Sequence, residues 1–351
     1  MKFLSRILIL INMLVVLATL ISYAAPYINP KYTWLFSIFG LGFPVFLILN
    51  FGFVVFWLFQ KPKIALISFV CLLLGWNYIQ GFVSFNGSDI ETKESTLQLV
   101  SFNMSNAYFG YDSKKKNMKE VRENYREITD LLTDADILCF QEVGTDAYKI
   151  VKEKFPKFHI HEISKGAIII SRFPFIKKGE IDFGTITNSC VWADIRLKED
   201  TIRIYSFHLK SNKISTDAEK LAKSDSLTTD RAWYDIKSML RKFKNNHISR
   251  SKQAEKINAH AQKSPYPVIL AGDMNDTPVS YTYKVFSDQR TDAFKERGMG
   301  LGTTYAGIIP FLRIDYIFLD KSLQVSEFDV IRQKVSDHYP ITATVLTNNT
   351  P

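Results

Sequence analysis

Polar and apolar positions split this chain into two unlike parts. From Phe3 to Phe85 the sequence is almost continuously apolar, broken only near Asn29–Lys31 and at Gln60-Lys61-Pro62-Lys63. Phe3–Tyr23, Trp34–Phe59 and Ile64–Phe85 are each long enough to cross a hydrocarbon core of about 30 Å. Trp57, Trp76, Tyr78 and Phe82 fall near interface positions. The pattern therefore predicts three transmembrane helices within residues 1–85. A cleavable signal peptide competes for the first run, because Ala24-Ala25 resembles a cleavage site, but two further apolar runs follow it.

Behind a polar linker at 86–96 the pattern changes period. Leu97–Phe102 alternates as a strand and ends at Asn103. Val121, Tyr125, Ile128, Leu131 and Leu132 recur at helical spacing. Short apolar runs follow at 137–140, 167–170, 191–197, 201–209, 268–271, 314–318 and 341–345, with one long polar, helix-prone stretch at 216–262. Many strands and few helices predict an α/β fold of two packed sheets flanked by helices, not a doubly wound parallel sheet. The chain carries no 20–50-residue repeat.

Charge sharpens the division. Of 44 basic and 35 acidic residues, five basic and one acidic lie in residues 1–90, which leaves a net +5 on the remainder. Lys2, Arg6, Lys61 and Lys63 mark one side of the predicted spans and Lys31 alone the other. Basic flanks stay cytoplasmic, so three crossings place the region from residue 90 outside the cytoplasm, as in a bacterial inner-membrane protein. The spans hold no acidic residue, and the head reads as an anchor to a lipid bilayer, not an ion path. A net of +5 suits an anionic substrate or a membrane surface and specifies neither. Lys114-Lys115-Lys116 reads as a solvated face. Cys71, Cys139 and Cys190 are too few and too scattered for a disulfide framework or a zinc site, and Cys139 reads as a small buried residue.

Eight polar residues near strand ends carry the candidate chemistry: Asn103, Glu142, His208, Asp273, Asn275, Asp315, Asp337 and His338. Singly, each has a bland reading as a turn, a cap or a satisfied core group. Together they match the parts needed for metal-assisted hydrolysis of a phosphate ester. A hard cation such as Mg²⁺, with Mn²⁺ as a substitute, takes one or two carboxylates, an amide and open positions, which Glu142, Asn103 and Asp337 supply. His338 beside a buried Asp315 keeps one orientation and serves as a base or a charge stabiliser. Asn275 and His208 add donors for phosphate oxygens, and Asp273 can orient or deprotonate a water.

Seven segments carry a family resemblance: Ser101-Phe102-Asn103, Phe140-Gln141-Glu142, Ser171-Arg172-Phe173-Pro174, Phe207-His208-Leu209, Gly272-Asp273-Met274-Asn275-Asp276, Arg313-Ile314-Asp315-Tyr316-Ile317 and Ser336-Asp337-His338-Tyr339-Pro340. In content and order they resemble the endonuclease/exonuclease/phosphatase superfamily, the deoxyribonuclease I-like group. That group includes abasic-site endonucleases, neutral sphingomyelinases and inositol polyphosphate 5-phosphatases. The resemblance implies a four-layer α/β sandwich over residues 97–347. It also implies Glu142 as the main Mg²⁺ ligand with Asn103 and Asp337 beside it, and His338 oriented by Asp315. Asp273 would act on the nucleophilic water, with Asn275 and His208 on phosphate oxygens. Both Asp273 and His338 stand as candidate general bases.

Substrate stays open at this level, because specificity in such a fold lies in loops. The basic surplus and Tyr108, Tyr111, Trp233 and Tyr281 give a nucleic acid some support, although the aromatics read first as core or loop packing; the anchor fits a phospholipid or its headgroup. An inert binding protein predicts a degraded set, and this set is intact. No protein partner is implied.

Overall fold

The computed structural model describes residues 2–87, 96–163, 166–197, 200–211, 230–307 and 309–346. Most of the expected linker (88–95) and the start of the polar stretch (216–229) lie outside the described residues.

The apolar head forms α1 (Lys2–Ala24), α2 (Leu35–Gln60) and α3 (Pro62–Leu74). Two helical segments, Phe3–Tyr27 and Leu35–Gln60, are long and apolar enough to cross a membrane. The expected third span is corrected. At 13 residues and 1.5 Å per residue, α3 is about 20 Å long, short of the roughly 30 Å core. Gly75 ends it, with its N–H on the Cys71 and Leu72 carbonyls. A side chain has no room there, since a Cβ would lie 2.0 Å from the Tyr23 hydroxyl. One turn, α4 (Trp76–Ile79), leads into strand β1 (Val83–Phe85). The apolar run continues to Phe85, but its period has become two.

Polar contacts fix how the head helices lie. Asn12 Nδ2 donates to Ser68 Oγ at 2.7 Å, Asn50 Nδ2 to Thr19 Oγ1 at 2.7 Å, and Lys61 Nζ to Ser5 Oγ at 2.8 Å. One end of the bundle thus gathers Ser5 and Lys61. The other gathers Tyr23, Gly75 and Tyr78, with the two tyrosine rings stacked at 5.1 Å.

In chain order the body contains β2 (Thr96–Asn103), α5 (Met118–Asp130), β3 (Ile137–Gln141), α6 (Thr145–Lys154), β4 (His159–Glu162), β5 (Ile168–Ser171), β6 (Phe175–Glu180), β7 (Ser189–Arg196) and β8 (Thr201–His208). Then come α7 (Asp230–Ala261), β9 (Val268–Asp273), α8 (Tyr281–Ser287), β10 (Arg290–Asp292), α9 (Ala293–Arg297), β11 (Met299–Leu301), β12 (Asp315–Asp320), β13 (Gln324–Val330) and β14 (Ile341–Leu346). They form two six-stranded sheets, ordered β10-β12-β9-β8-β7-β6 and β13-β14-β2-β3-β5-β4, and β1 pairs β11 in a separate ribbon. Within the two large sheets, β2–β3 and β8–β9 are parallel and every other pairing is antiparallel.

Strand alternation builds the layers. Ile137 and Cys139 of β3 join Ile169, Ile204, Ile269 and Ile317 in the core between the sheets. Leu138 and Phe140 point the other way and pack beneath Val121, Tyr125 and Ile128 of α5. Phe207 and Leu270 of the opposite sheet are covered by Ala254 and Ile257 of α7. Each such side chain, fully buried, contributes about 1.5–3 kcal/mol. The result is the helix–sheet–sheet–helix sandwich expected from the pattern.

The body docks on the end of the head away from Lys61. Asn29 Nδ2 donates to Glu255 at 2.7 Å, Trp34 meets Phe243 edge-on, and Thr277 Oγ1 donates to the Gly40 carbonyl at 3.2 Å. Phe43, Phe82 and Val279 form a small buried cluster across this contact.

Candidate active site

Parallel pairing decides where the site lies. Asn103 of β2 is in register with Gln141 of β3, so Asn103 and Glu142 emerge at one rim. His208 of β8 is in register with Asp273 of β9. The antiparallel β12 supplies its first residue, with Asp315 opposite Asp273. Because β14 begins with Ile341 opposite Ser101, the segment 336–338 just before it reaches the same rim. Residues from both sheets thus converge on one edge of the sandwich.

Gly272 makes this register possible. Its φ is 154°, and a Cβ would lie 2.0 Å from the Phe207 carbonyl oxygen on β8. That neighbour is ladder backbone and cannot yield. Gly272→Ala is expected to cost at least about 1–3 kcal/mol, as overpacking does, and to displace Asp273. Thermal unfolding measured beside turnover checks both effects.

Asp273 lies at the centre, fully buried. Its Oδ1 accepts from Asn275 N at 2.8 Å; its Oδ2 accepts from Asn275 Nδ2 and Asn103 Nδ2, each at 3.0 Å. Asn103 Nδ2 also donates to Glu142 Oε1 at 3.2 Å, so it bridges two carboxylates. His208 Nε2 is 3.5 Å from Glu142 and 3.6 Å from Asp273, buried and without a hydrogen-bond partner. On the far side His338 Nδ1 is held by both Asp315 oxygens at 3.1 and 2.9 Å, while its Nε2 lies 3.7 Å from Asp273 Oδ2. Ser336 Oγ, 2.9 Å from the Asn103 carbonyl and 3.3 Å from Asp337 Oδ1, ties Asp337 to the group.

These contacts set the protonation pattern. Burial pushes the Asp273 carboxyl up to about 6, against the pull of His338 and His208. At His338 burial disfavours the charged ring, but the carboxylates of Asp315 and Asp273 overcome it and hold the pKa well above the usual imidazole value. These contacts favour the charged imidazole at His338, beside a carboxylate whose proton affinity burial raises.

Comparison with known proteins identifies the family of the body. A model of the endonuclease/exonuclease/phosphatase family matches residues 100–338, and a model of a domain of unknown function matches residues 5–82. The chain belongs to the endonuclease/exonuclease/phosphatase family. It is accordingly a metal-dependent hydrolase of phosphoester bonds. No curated protein matches it. Among solved structures, an endonuclease/exonuclease/phosphatase family protein from Bacteroides thetaiotaomicron is 18% identical with a TM-score of 0.55, covering 74% of this chain and 100% of that one. D. rerio TDP2 complexed with a single-strand DNA product is 18% identical with a TM-score of 0.53, covering 72% and 100%. A mannosyl-6-phosphatase from Bacteroides thetaiotaomicron is 19% identical with a TM-score of 0.51, also covering 72% and 100%. At these identities the three share the fold.

At this rim, Asn103, Glu142, His208, Asp273, Asn275, Asp315 and His338 are joined by the distances above, and Asp337 is reached through Ser336. Asn275 spends both amide hydrogens internally, on Asp273 and on the Leu209 carbonyl at 3.1 Å, so it orients Asp273. Among the described residues, Asp273, Asp315 and His338 form the one trio of ligand types packed within 4.8 Å. The His338–Asp315 hydrogen bonds already engage that trio.

Sequence reasoning missed three supports. Thr304 Oγ1, buried, accepts from Ile314 N and Asp315 N at 3.0 Å each and so fixes Asp315. Arg250 of α7 donates to the Asn275 carbonyl and faces Asp276 at 3.3 Å. Ser336 lay inside a quoted motif, but its hydroxyl was given no role. Thr304 and Arg250 act through contacts distant in sequence and leave no local mark there.

Proposed function

We propose that the protein is a membrane-anchored, Mg²⁺-dependent phosphoesterase that hydrolyses a phosphodiester or phosphomonoester outside the cytoplasm. The observation that carries this reading is the opposition, 3.7 Å apart, of Asp273 and the Asp315-held imidazolium of His338. Asp273, with its raised pKa, takes a proton from the attacking water. The water oxygen bonds to phosphorus, one ester P–O bond breaks, and the leaving oxygen ends protonated. His338 already carries its proton, so it stabilises charge on the phosphoryl group or protonates the leaving oxygen. The general base is thus assigned to Asp273. His208 Nε2, buried and without a hydrogen-bond partner, would take a phosphoryl oxygen.

The donor set fits a hard cation: the carboxylates of Glu142, Asp273, Asp315 and Asp337 gather at this rim, and no cysteine is among these residues. Glu142, 41% exposed at its side chain, would hold Mg²⁺, with Mn²⁺ as a substitute. Asp337 and Asn103 would stand beside it. When bound, the ion would supply Lewis-acid polarisation. Asn103 turns its Nδ2 toward Glu142 and Asp273, so in this arrangement it sets the angle of both carboxylates.

The test is a pH profile of kcat/KM on bis-p-nitrophenyl phosphate. Below about pH 6 Asp273 is protonated and cannot accept a proton, so activity falls about tenfold per pH unit. A profile flat down to pH 4.5 would remove Asp273 as base.

Orientation has its own support. Lys61 is tied to Ser5 at the end of the head opposite the body, and Lys2, Arg6 and Lys63 flank these two residues in sequence. α3 and α4 together carry the chain from Lys61 to the Tyr23 end of the head, so these two short helices, and not one long span, would make the return across the bilayer. A cytoplasmic basic end leaves the body outside. Alkaline phosphatase fused after residue 87 is expected to be active in a bacterial host; an inactive fusion at normal expression would reverse the orientation.

The nuclease alternative draws on the DNA product held by TDP2 and on the basic surplus. In this chain Tyr108 donates to Asp146 at 2.8 Å and packs edge-on against Tyr111. Both rings are therefore partly engaged by their own loop.

A further inference from the structure

A pocket of about 540 Å³ opens beside the catalytic rim. Tyr305 lines it, bridges to the His338 backbone and sets its ring edge-on to the imidazole at 5.8 Å. Ala306, also in the lining, donates its N–H to the Asp337 carbonyl at 2.7 Å. The near wall of the pocket is thus the backbone that carries the catalytic histidine. Its far wall is apolar and includes Met299, Leu301 and Phe311.

That far wall is continuous with the head. Val83 pairs with Leu301, Ser84 with Gly300 and Phe85 with Met299. Directly opposed residues of an antiparallel pair share a face, so Val83, Leu301, Phe85 and Met299 lie on one face of the ribbon. Ser84, buried, is on the other. The shared face is apolar along its whole length, yet Phe85 is 72% exposed, Met299 66%, Leu301 49% and Phe311 41%. Val83 alone of the face is packed, and it packs against the Phe43–Phe82 cluster of the head. The exposed face therefore begins where the head ends and runs on into the pocket. Arg332 fastens it there, donating to the Leu301 and Thr303 carbonyls and lying over the Tyr339 ring at 5.4 Å.

An exposed apolar strand pair with no charge on its face is a liability in water, and natural edges are usually blunted by lysine or proline. It lies at the end of two helices long and apolar enough to cross a bilayer, so with those helices in a membrane it would meet the lipid surface. We propose that the Val83–Phe85/Met299–Leu301 ribbon and the pocket behind it receive the hydrocarbon tail of a phosphoester lipid, whose phosphate then lies between His338 and Asp273. The substrate class is thereby a membrane amphiphile entering sideways from the leaflet. This rests on the phosphoesterase reading of the rim and adds no new chemical step to it.

The experiment uses the full chain reconstituted in phosphatidylcholine vesicles. The vesicles contain either phosphatidic acid, a phosphomonoester lipid, or phosphatidylglycerol, a phosphodiester lipid. Bis-p-nitrophenyl phosphate and a single-stranded oligonucleotide serve as soluble substrates. Hydrolysis of one lipid is expected, and which one identifies the ester class. Leu301→Glu and Met299→Glu alter exposed positions, and their folding is checked by thermal unfolding. Each is expected to lower the ratio of lipid to bis-p-nitrophenyl phosphate turnover at least about tenfold. Phosphatidic acid bearing a photoreactive acyl chain is expected to label residues 299–311. An unchanged ratio in folded variants, or preferential cleavage of the oligonucleotide, overturns the proposal. So does a variant that splits a dimer into monomers with the ratio intact, which would assign the face to a second copy. With p-nitrophenyl phosphate as the soluble reference where phosphatidic acid is the lipid cleaved, failure of the wild type on both nitrophenyl esters would instead sink the phosphoesterase reading beneath it.

Discussion

Asp273→Asn is expected to lower kcat/KM on bis-p-nitrophenyl phosphate by about 10²–10⁴-fold, the usual contribution of a positioned general base. The carboxylate accepts from Asn275 N, Asn275 Nδ2 and Asn103 Nδ2. An amide can accept at one oxygen only, so one donor is left facing an NH₂ group, at a cost of about 1–3 kcal/mol. The loss of activity therefore has to be separated from a loss of fold. Circular dichroism at the assay temperature does this, because the His338–Asp315 pair and both sheets remain. The variant also removes one of the three carboxylates, Asp315, Asp273 and Asp337, that hold the proton on His338, so the histidine's pKa should fall toward its ordinary value; NMR of the imidazole reads that shift. A folded Asp273→Asn enzyme within tenfold of wild type would return the base to His338.

The second large effect is on stability. Arg313 is wholly buried, with its guanidinium on both oxygens of Asp292, one contact at 2.7 Å, and on the Gly81 carbonyl at 3.1 Å. The rings of Phe294 and Tyr316 flank it, each with its centroid 4.5 Å away. Arg313→Met keeps the packing volume roughly but leaves Asp292 buried without its cation. Breaking a buried pair from one side costs about 3–5 kcal/mol. For a domain of this size that lowers Tm by about 10 °C. Because Gly81 belongs to the last turn before β1, the variant also loosens the head from the body. The double variant Arg313→Met/Asp292→Asn should recover part of the loss, since no charge is then stranded. A single variant that melts within about 2 °C of wild type would contradict this account of Arg313.

Asn103, Glu142, His208, Asp273 and Asn275 were legible because each lies at or just past the end of a short buried strand. Val268–Ala271 and Ile137–Phe140 are apolar runs that end abruptly in polar side chains, and parallel pairing brings those ends to one rim. Ile314-Asp315-Tyr316 was legible for a different reason: a carboxylate among apolar neighbours demands a partner, and His338 is that partner. The third span was misread because Ile64–Phe85 is apolar throughout. Such a run hides both the close approach of Gly75 to Tyr23 and the change of period at Val83-Ser84-Phe85. Uniform hydrophobicity reports burial but not geometry. The ribbon β1–β11 was invisible for a related reason, since its strands are three residues each and their pairing spans more than two hundred positions. Thr304 and Arg250 show the same limit at the site. Their roles come from tertiary contacts with Asp315 and Asn275, and neither residue type is unusual in a loop or a helix.

One measurement bears most directly on the claim that this rim hydrolyses phosphoesters with a metal ion. The full chain, purified in detergent and stripped of metal, is assayed on bis-p-nitrophenyl phosphate with Mg²⁺, with chelator, and with Mg²⁺ restored, beside Glu142→Ala. The account predicts turnover with Mg²⁺, loss in chelator, recovery on adding the ion back, and little activity in Glu142→Ala at any Mg²⁺ concentration. Turnover that persists in chelator, or a Glu142→Ala enzyme indistinguishable from wild type, would contradict it.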